Sequence, residues 1–263
     1  MTIRRSTTHR THRREIATTR TLKRKISGTG RTAAGRQRAD SIKKTLRRLV
    51  GAGAVLLLLS ILMVIPWRWF APPTSAFMLR EQLFQGNAVH YQWVPWESIS
   101  PYLAIAVVAA EDQKFPAHHG FDFESIAKAL DETRGRRRGA STISQQVAKN
   151  LFLWPGRSYI RKGLEAYFTL LIETCWPKRR ILEIYMNVAE FGPGVFGTGA
   201  ASRQYFAKPA ERLSLWEASL LAAVLPSPKK MSVRRPSAYV RDRAYEIRTW
   251  VRKLGGARYL DGI

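Results

Sequence analysis

The segment SPYLAIAVVAAED, residues 100–112, contains a helix start, an uninterrupted apolar run and two terminal carboxylates. Ser100 is a typical cap, and Pro101 suits the first helical position, where its missing N–H costs no hydrogen bond. The run YLAIAVVAA that follows carries no charge, which predicts a helix buried on all sides. The helix therefore delivers Glu111 and Asp112 to its own end, where burial can shift the pKa of a carboxyl group toward acid–base chemistry.

The segments that follow also show helical patterns. Thr142 with Gln145, and Ser214 with Glu217, satisfy the capping-box pattern that opens a helix. Pro236 begins a last helix. Patterns of alternating apolar and polar residues are scarce, so we predict a mainly α domain.

On the N-terminal side, residues 49–67 (LVGAGAVLLLLSILMVIPW) contain no charge. At 1.5 Å per residue they form about 28 Å of helix, close to the hydrocarbon thickness of a bilayer, and so predict one transmembrane helix. A cleaved signal peptide would be shorter, nearer the N-terminus and followed by small residues, whereas aromatic residues follow here. A buried core helix is the other alternative.

The basic residues Lys43, Lys44, Arg47 and Arg48 precede this helix, so the positive-inside rule places residues 1–48 in the cytoplasm and the rest outside the cytoplasmic (inner) membrane. Of the 44 Lys and Arg residues, 16 lie in that tail, which is too polar to fold alone. We expect it to contact anionic lipid and not nucleic acid. The single cysteine excludes an internal disulfide framework.

Five segments are predicted: a basic cytoplasmic tail (1–48), a transmembrane anchor (49–70), a linker and entry segment (71–99), a catalytic domain (100–256) and a short C-terminal tail (257–263).

Arg157, Arg161 and Glu165 have i, i+4, i+8 spacing and form one face of a predicted helix, with Lys162 beside them. A salt-bridged surface is the default interpretation. The functional alternative is a diphosphate site, formed by these cations, Lys149 and the helix N-terminus that begins at Thr142. The sequence contains no H-E-x-x-H motif and no Cys/His spacing typical of a metal site, so it does not predict a metalloenzyme.

The segments EDQKFPAHHGFD, GASTISQQVAKN, RKGLE and KRRILEIYMN follow one another in the order of the four motifs of the peptidoglycan glycosyltransferases, and the chain resembles this family over residues 72–256. Ala140 and Ser144 resemble its monofunctional branch, and no K-T-G motif of a transpeptidase domain is present. The resemblance implies a mainly α, lysozyme-like head with a small membrane-facing jaw. It implies lipid II and the growing glycan chain as substrates, membrane lipid as surroundings, and cell-division or cell-wall synthesis proteins as candidate partners.

The resemblance also implies site residues. Glu111 matches the general base, and Glu165 matches a second carboxylate that orients cations or a divalent ion, Mg or Mn. Positions that neutralise the diphosphate are matched by Lys149, Arg157, Arg161 and Lys162. Positions that contact substrate are matched by Ser141, Thr142, Gln145 and Gln146. Supporting positions are matched by Asp112, Phe115, His118, Glu183 and Asn187.

Two alternatives remain at this point. A lysozyme-like lytic enzyme would also use one dominant Glu, but it acts on a polymer without diphosphate and needs no cation cluster. A non-enzymatic membrane scaffold would need neither a catalytic Glu nor a cation cluster.

Overall fold

The computed structural model describes residues 29–125, 127, 141–156 and 158–263, with side chains described from residue 35 onward. The chain divides into two units, Met1–Ser60 and Ile61–Ile263. The first unit contains most of helix α1 (Thr29–Val64), whose apolar side chains are largely exposed and which is long and apolar enough to cross a membrane. This helix is compatible with the predicted single-pass anchor. It begins at Thr29, so residues 29–48 of the predicted tail are helical as an extension of the apolar helix, which is consistent with a tail that is too polar to fold alone.

The second unit is mainly α, as predicted. The helices bounded within the described residues are α2 (Ala76–Gln85), α3 (Pro101–Glu111), α4 (Ile143–Phe152), α5 (Tyr159–Cys175), α6 (Lys178–Val188), α7 (Gly197–Phe206), α8 (Leu215–Val224) and α9 (Ala238–Lys253). Short 3-10 turns lie at Ile65–Arg68, Trp96–Ser98, Phe115–Ala117, Ala210–Arg212 and Gly256–Leu260.

Helix α3 is the centre of the core. Every residue from Leu103 to Ala109 is buried, and α8 and α9 pack against it. The helix ends at Glu111 with Asp112 as its C-cap, as the sequence predicts. Ser100 occupies the N-cap position but makes no capping hydrogen bond, because its hydroxyl donates to the Leu213 carbonyl at 2.8 Å.

Both predicted capping boxes are present at the starts of α4 and α8. Helix α5 begins later than predicted, because Ser158 is its N-cap and accepts from the backbone N–H of Arg161 at 3.2 Å. Arg157 therefore precedes the helix, and it lies outside the described residues. Likewise Ser237, and not Pro236, caps α9.

A small sheet, which the sequence analysis did not anticipate, joins residues 71–99 to the head. Its strands β1 (His90–Tyr91), β2 (Glu190–Gly192) and β3 (Val195–Phe196) have the order β1-β3-β2, with β1 parallel and β2 antiparallel to β3. The turn after β3 needs Gly197, whose φ is 79° and where a Cβ atom would lie 2.5 Å from the Asn187 carbonyl oxygen. Met78, Val94 and Ile99 are buried in the core, so much of the predicted linker is part of the folded head.

Residues 61–70 also contact the head directly. Val64 is fully buried, and its carbonyl accepts from the indole N–H of Trp176 at 3.1 Å. Arg180 donates to the carbonyls of Trp67 at 2.8 Å and Phe70 at 2.6 Å. The C-terminal part of the predicted anchor is thus packed as a neck, defined here as residues 61–70, within the second unit.

Candidate active site

Glu111 lies at the end of α3, where the α4 and α6 helices meet it. Its Oε2 accepts a hydrogen bond from the side-chain amide of Gln146 at 2.9 Å. The carbonyl of the same Gln146 side chain accepts from the Tyr185 hydroxyl at 3.2 Å, which fixes the amide so that its NH₂ faces the carboxylate. Tyr185 is itself buried, and burial raises the pKa of its hydroxyl well above its usual value, so it remains a donor.

Burial raises the pKa of Glu111, whose side chain is 13% exposed. The hydrogen bond from Gln146 and the charges of Arg243 and Lys149 act in the opposite direction, while the charge of Asp112 raises the pKa further. A carboxylate with a raised pKa is a stronger base than one in water, and opposite charges nearby keep part of it ionised. This is the environment that a general base requires.

Asp112 has a structural role in the described contacts. Both of its oxygens lie within 3.1 Å of His118 Nε2, and Oδ2 accepts from the backbone N–H of Ile143 at 2.9 Å. His118 accepts from the Gly120 N–H through Nδ1, so Nε2 donates to Asp112. Asp112 therefore joins the end of α3 to the start of α4. Phe115 is buried and packs edge-on against His118, with ring centroids 6.3 Å apart.

The N-terminus of α4 therefore binds the Asp112 carboxylate, which is the favourable placement for a negative charge. Lys149 lies in the last turn of the same helix. At 1.5 Å per residue the two ends are about 9 Å apart. The backbone N–H of Ile143 is thus already paired, and the diphosphate site formed by this N-terminus and the cations stays a prediction.

The cations gather around Glu165, which is 3% exposed. Arg161 donates to Oε2 at 2.8 Å, and Lys162 donates to Oε1 at 2.5 Å. Burial lowers the pKa of Lys149, and the nearby charges of Arg161 and Lys162 lower it further, whereas Glu165 and Glu111 raise it. Three described cations thus share a half-buried region with one carboxylate between them.

One hydrogen-bond donor of Arg161 has no acceptor among the described residues. Its side chain is 10% exposed, and its Nε–H is buried without a hydrogen-bond partner among the described residues. A buried donor left unpaired is costly, so an anion at this position would stabilise the site.

The substrate-contact positions have unequal surroundings. Thr142 and Gln145 are buried and bond each other in the capping box, and Thr142 also donates to the Gly120 carbonyl at 2.7 Å. Ser141 is half-buried. Of the four positions, Gln146 is the one that contacts Glu111 in the described structure.

Glu183 and Asn187 brace the segment before α3. Asn187 is fully buried, and its side-chain amide accepts from the Val94 N–H and donates to the Val94 carbonyl, both at 2.8 Å. Glu183 accepts from the Trp96 N–H at 3.0 Å and from Arg180 at 2.7 Å. The described contacts of both side chains are therefore structural and fix the segment before α3.

Arg243 was not predicted as a site residue. It lies on α9, and its NH2 atom is 3.8 Å from Glu111 Oε1. The signal available in the sequence was weak: Arg243 falls between Val240 and Ile247 on the buried face of an otherwise basic helix.

A divalent ion has no ready ligand set among the described residues. Both Glu165 oxygens are already paired, and in that part of the chain no three His, Cys, Asp or Glu side chains group together. The predicted Mg or Mn therefore stays a prediction that these contacts do not support.

Residues 79–251 match the Transglycosylase family. The chain is 52% identical over 226 residues to the biosynthetic peptidoglycan transglycosylase of Xanthomonas campestris pv. campestris (strain B100), covering 83% of this chain and 92% of that relative. It is 51% identical over 241 residues to the protein of the same description from Xanthomonas euvesicatoria pv. vesicatoria (strain 85-10), covering 89% and 96%. The corresponding protein of Xylella fastidiosa (strain M23) is 52% identical over 223 residues, covering 82% and 92%.

Proposed function

Because the chain belongs to the peptidoglycan transglycosylase family, as its four motifs predicted, we propose that it polymerises lipid II into linear β-1,4 glycan strands and releases undecaprenyl diphosphate. The observation that carries this proposal is the pairing of one buried carboxylate, Glu111, with a separate group of half-buried cations. A lytic enzyme, which needs no diphosphate site, would have no use for those cations.

Glu111 acts as the general base. Its Oε2 is held by Gln146, and no described donor hydrogen-bonds to Oε1. Oε1 takes the proton of the 4-hydroxyl of an N-acetylglucosamine as that oxygen attacks the anomeric carbon of the donor N-acetylmuramic acid. The bond to the diphosphate oxygen breaks in the same step. An α-linked donor gives a β-linked product by one inverting displacement, so no covalent sugar–enzyme intermediate forms.

The cations stabilise the leaving diphosphate. Negative charge increases on the diphosphate oxygen as the anomeric bond breaks, and fixed donors directed at that oxygen lower the barrier. Lys149 and the unpaired Nε–H of Arg161 are the donors best placed for this. Burial lowers the pKa of Lys149, and a bound dianion would raise that pKa again, so binding of the diphosphate and protonation of Lys149 support each other. Glu165 holds Arg161 and Lys162 in place.

We further propose that α1 anchors the enzyme in the cytoplasmic membrane with its N-terminus inside. The Lys and Arg residues of 43–48 support this orientation, since they precede the apolar run. The catalytic head then lies on the outer side of the membrane, where an enzyme that builds the cell wall finds its lipid-linked substrate.

Polymerisation of purified lipid II tests this function. The full-length protein in detergent should give glycan strands that lysozyme digests, and Glu111→Gln should slow this reaction by roughly 10² to 10⁴, because it keeps the hydrogen bond with Gln146 but removes the base. Glu211→Gln, at an exposed position, is the matched control and should retain the wild-type rate. Shortening of preformed glycan would instead identify a lytic enzyme, and no reaction with either substrate would favour a scaffold.

A further inference from the structure

Arg243 is an unexpected charge on a buried helix face. Helix α9 directs Val240, Ala244, Ile247 and Val251 into the core, against α3 and α8. Arg243 shares that face, and its side chain is 24% exposed. Since a guanidinium group is costly to bury without a partner, its position on this face needs a reason.

The reason is the direction of its guanidinium. The NH2 atom lies 3.8 Å from Oε1 of Glu111, which is beyond hydrogen-bond length but within range of a strong electrostatic attraction. The Nε–H of Arg243 is buried without a partner among the described residues. Arg243 is therefore committed to the Glu111 carboxylate and not to a network of its own.

Arg243 faces the oxygen that the other partner of Glu111 leaves open. Gln146, on α4, binds Oε2, whereas Arg243, on α9, faces Oε1. The two contacts come from separate elements and restrain the two oxygens differently. Oε2 accepts a hydrogen bond at 2.9 Å, whereas Oε1 is attracted electrostatically by a guanidinium 3.8 Å away. The carboxylate is thereby oriented, while Oε1 keeps its capacity to accept a proton.

We propose that Arg243 is a positioning residue for the general base: it keeps the Glu111 carboxylate ionised and turned so that Oε1 faces the attacking sugar hydroxyl. This inference rests on the proposed function, because it assumes that Glu111 is the base. The other charged or titratable groups that act on Glu111 are Lys149 on α4, Asp112 at the end of α3 and Tyr185 on α6. Among these neighbours, Lys149 is assigned to the diphosphate, so Arg243 is the cation that acts on the base, Glu111.

The pH dependence of the rate distinguishes this role from a structural one. Removing the positive charge makes ionisation of Glu111 harder, so its pKa rises and the base is protonated over a wider acidic range. Arg243→Gln should therefore lower kcat/KM by about tenfold or more on the acidic limb of the wild-type profile, with a much smaller deficit on its alkaline plateau. Arg243→Lys, which keeps the charge, should stay close to the wild-type profile.

Three further variants complete the design. Arg252→Gln removes one positive charge from an exposed position of the same helix and should leave the profile unchanged. In a Glu111→Gln background, Arg243→Gln should cost less than about twofold more, because the group through which it acts is already absent. Arg243→Leu, which suits the apolar face formed by Ala244 and Ile247, replaces Arg243→Gln if the latter does not fold.

A direct titration separates this inference from the proposed function. The side-chain carboxyl signal of Glu111 can be followed by NMR in ¹³C-glutamate-labelled full-length protein in micelles, and it is assigned by its loss in Glu111→Gln. We expect its titration midpoint to move to higher pH in Arg243→Gln and not in Arg252→Gln. An unmoved midpoint together with a uniform loss of rate at all pH values would overturn the inference. If the wild-type protein makes no glycan from lipid II, the proposed function fails, and the titration still decides whether Arg243 acts on Glu111.

Discussion

The neck, residues 61–70, gives a prediction about where the soluble part of the enzyme begins. A cut after residue 71, one position beyond the predicted anchor (49–70), would remove the neck, whereas a cut after Ser60 would keep it. The first cut loses the burial of Val64, about 1.5–3 kcal/mol, and the hydrogen bonds from Trp176 and Arg180 to neck carbonyls, about 0.5–1.5 kcal/mol each and more for the charged donor.

Since hydrogen-bond contributions of this size already allow for the water that replaces each bond, Val64 and the three bonds together contribute about 3–7 kcal/mol. Because domains of this kind have about 5–15 kcal/mol of stability, the head that starts at Pro72 should be marginal. With a urea m-value of roughly 2–3 kcal/mol/M, its unfolding midpoint should lie about 1–3 M below that of the head that starts at Ile61.

Urea unfolding of both truncated proteins in the same mild detergent, followed by tryptophan fluorescence, measures the difference. The head from Ile61 should unfold at the midpoint of the full chain. Equal midpoints for the two truncated heads would show that the neck contacts contribute no net stability, and the boundary after residue 70 would then be the better one.

Four further outcomes are expected. Lys149→Ala should weaken binding of a fluorescent lipid II about tenfold or more and also slow turnover, because the diphosphate is charged both before and during bond breaking; unchanged binding would leave Lys149 as a surface charge. Asn187→Ala should cost about 2–4 kcal/mol in urea unfolding, because it leaves the buried Val94 N–H and carbonyl unpaired, and a loss below 1 kcal/mol would contradict this role. The wild-type rate should fall as the pH drops through the raised pKa of Glu111, since only the ionised carboxylate accepts a proton, and a flat acidic limb would exclude it as the base. A reporter fused after Ile263 should be active only outside the cytoplasmic membrane, and cytoplasmic activity would reverse the proposed topology.

Features that depend on neighbouring residues were predictable from the sequence. The capping boxes at Thr142 and Ser214 and the end of α3 at Glu111 follow from side chains within four positions of one another. The start of α5 was misplaced because the spacing of Arg157, Arg161 and Glu165 fits a helix from residue 157, whereas the cap at Ser158 decides the boundary.

Features that depend on distant pairs were not predictable in the same way. The strands β1 and β3 have two residues each, too few for an alternating pattern, and they pair across more than 100 positions. Arg243 and Glu111 are even farther apart in the chain, and nothing local to either residue indicates the other. The four motifs identified the family, but Arg243 lies outside them and had to be found in the structure.

In the mechanism proposed above, helix α4 places the base and the leaving-group cation at a fixed separation. Gln146, which holds Glu111, and Lys149 are three positions apart and so lie on the same face of α4, with a rise of about 4.5 Å between them. In an inverting displacement the attacking and leaving oxygens lie on opposite sides of one carbon, so the group that takes the proton and the group that stabilises the diphosphate must be separate but rigidly related. A single helical turn supplies that relation. Asp112 then fixes the position of α4 relative to α3 by binding the N–H of Ile143, which explains why the second carboxylate of the motif serves the geometry of the site rather than the proton transfer.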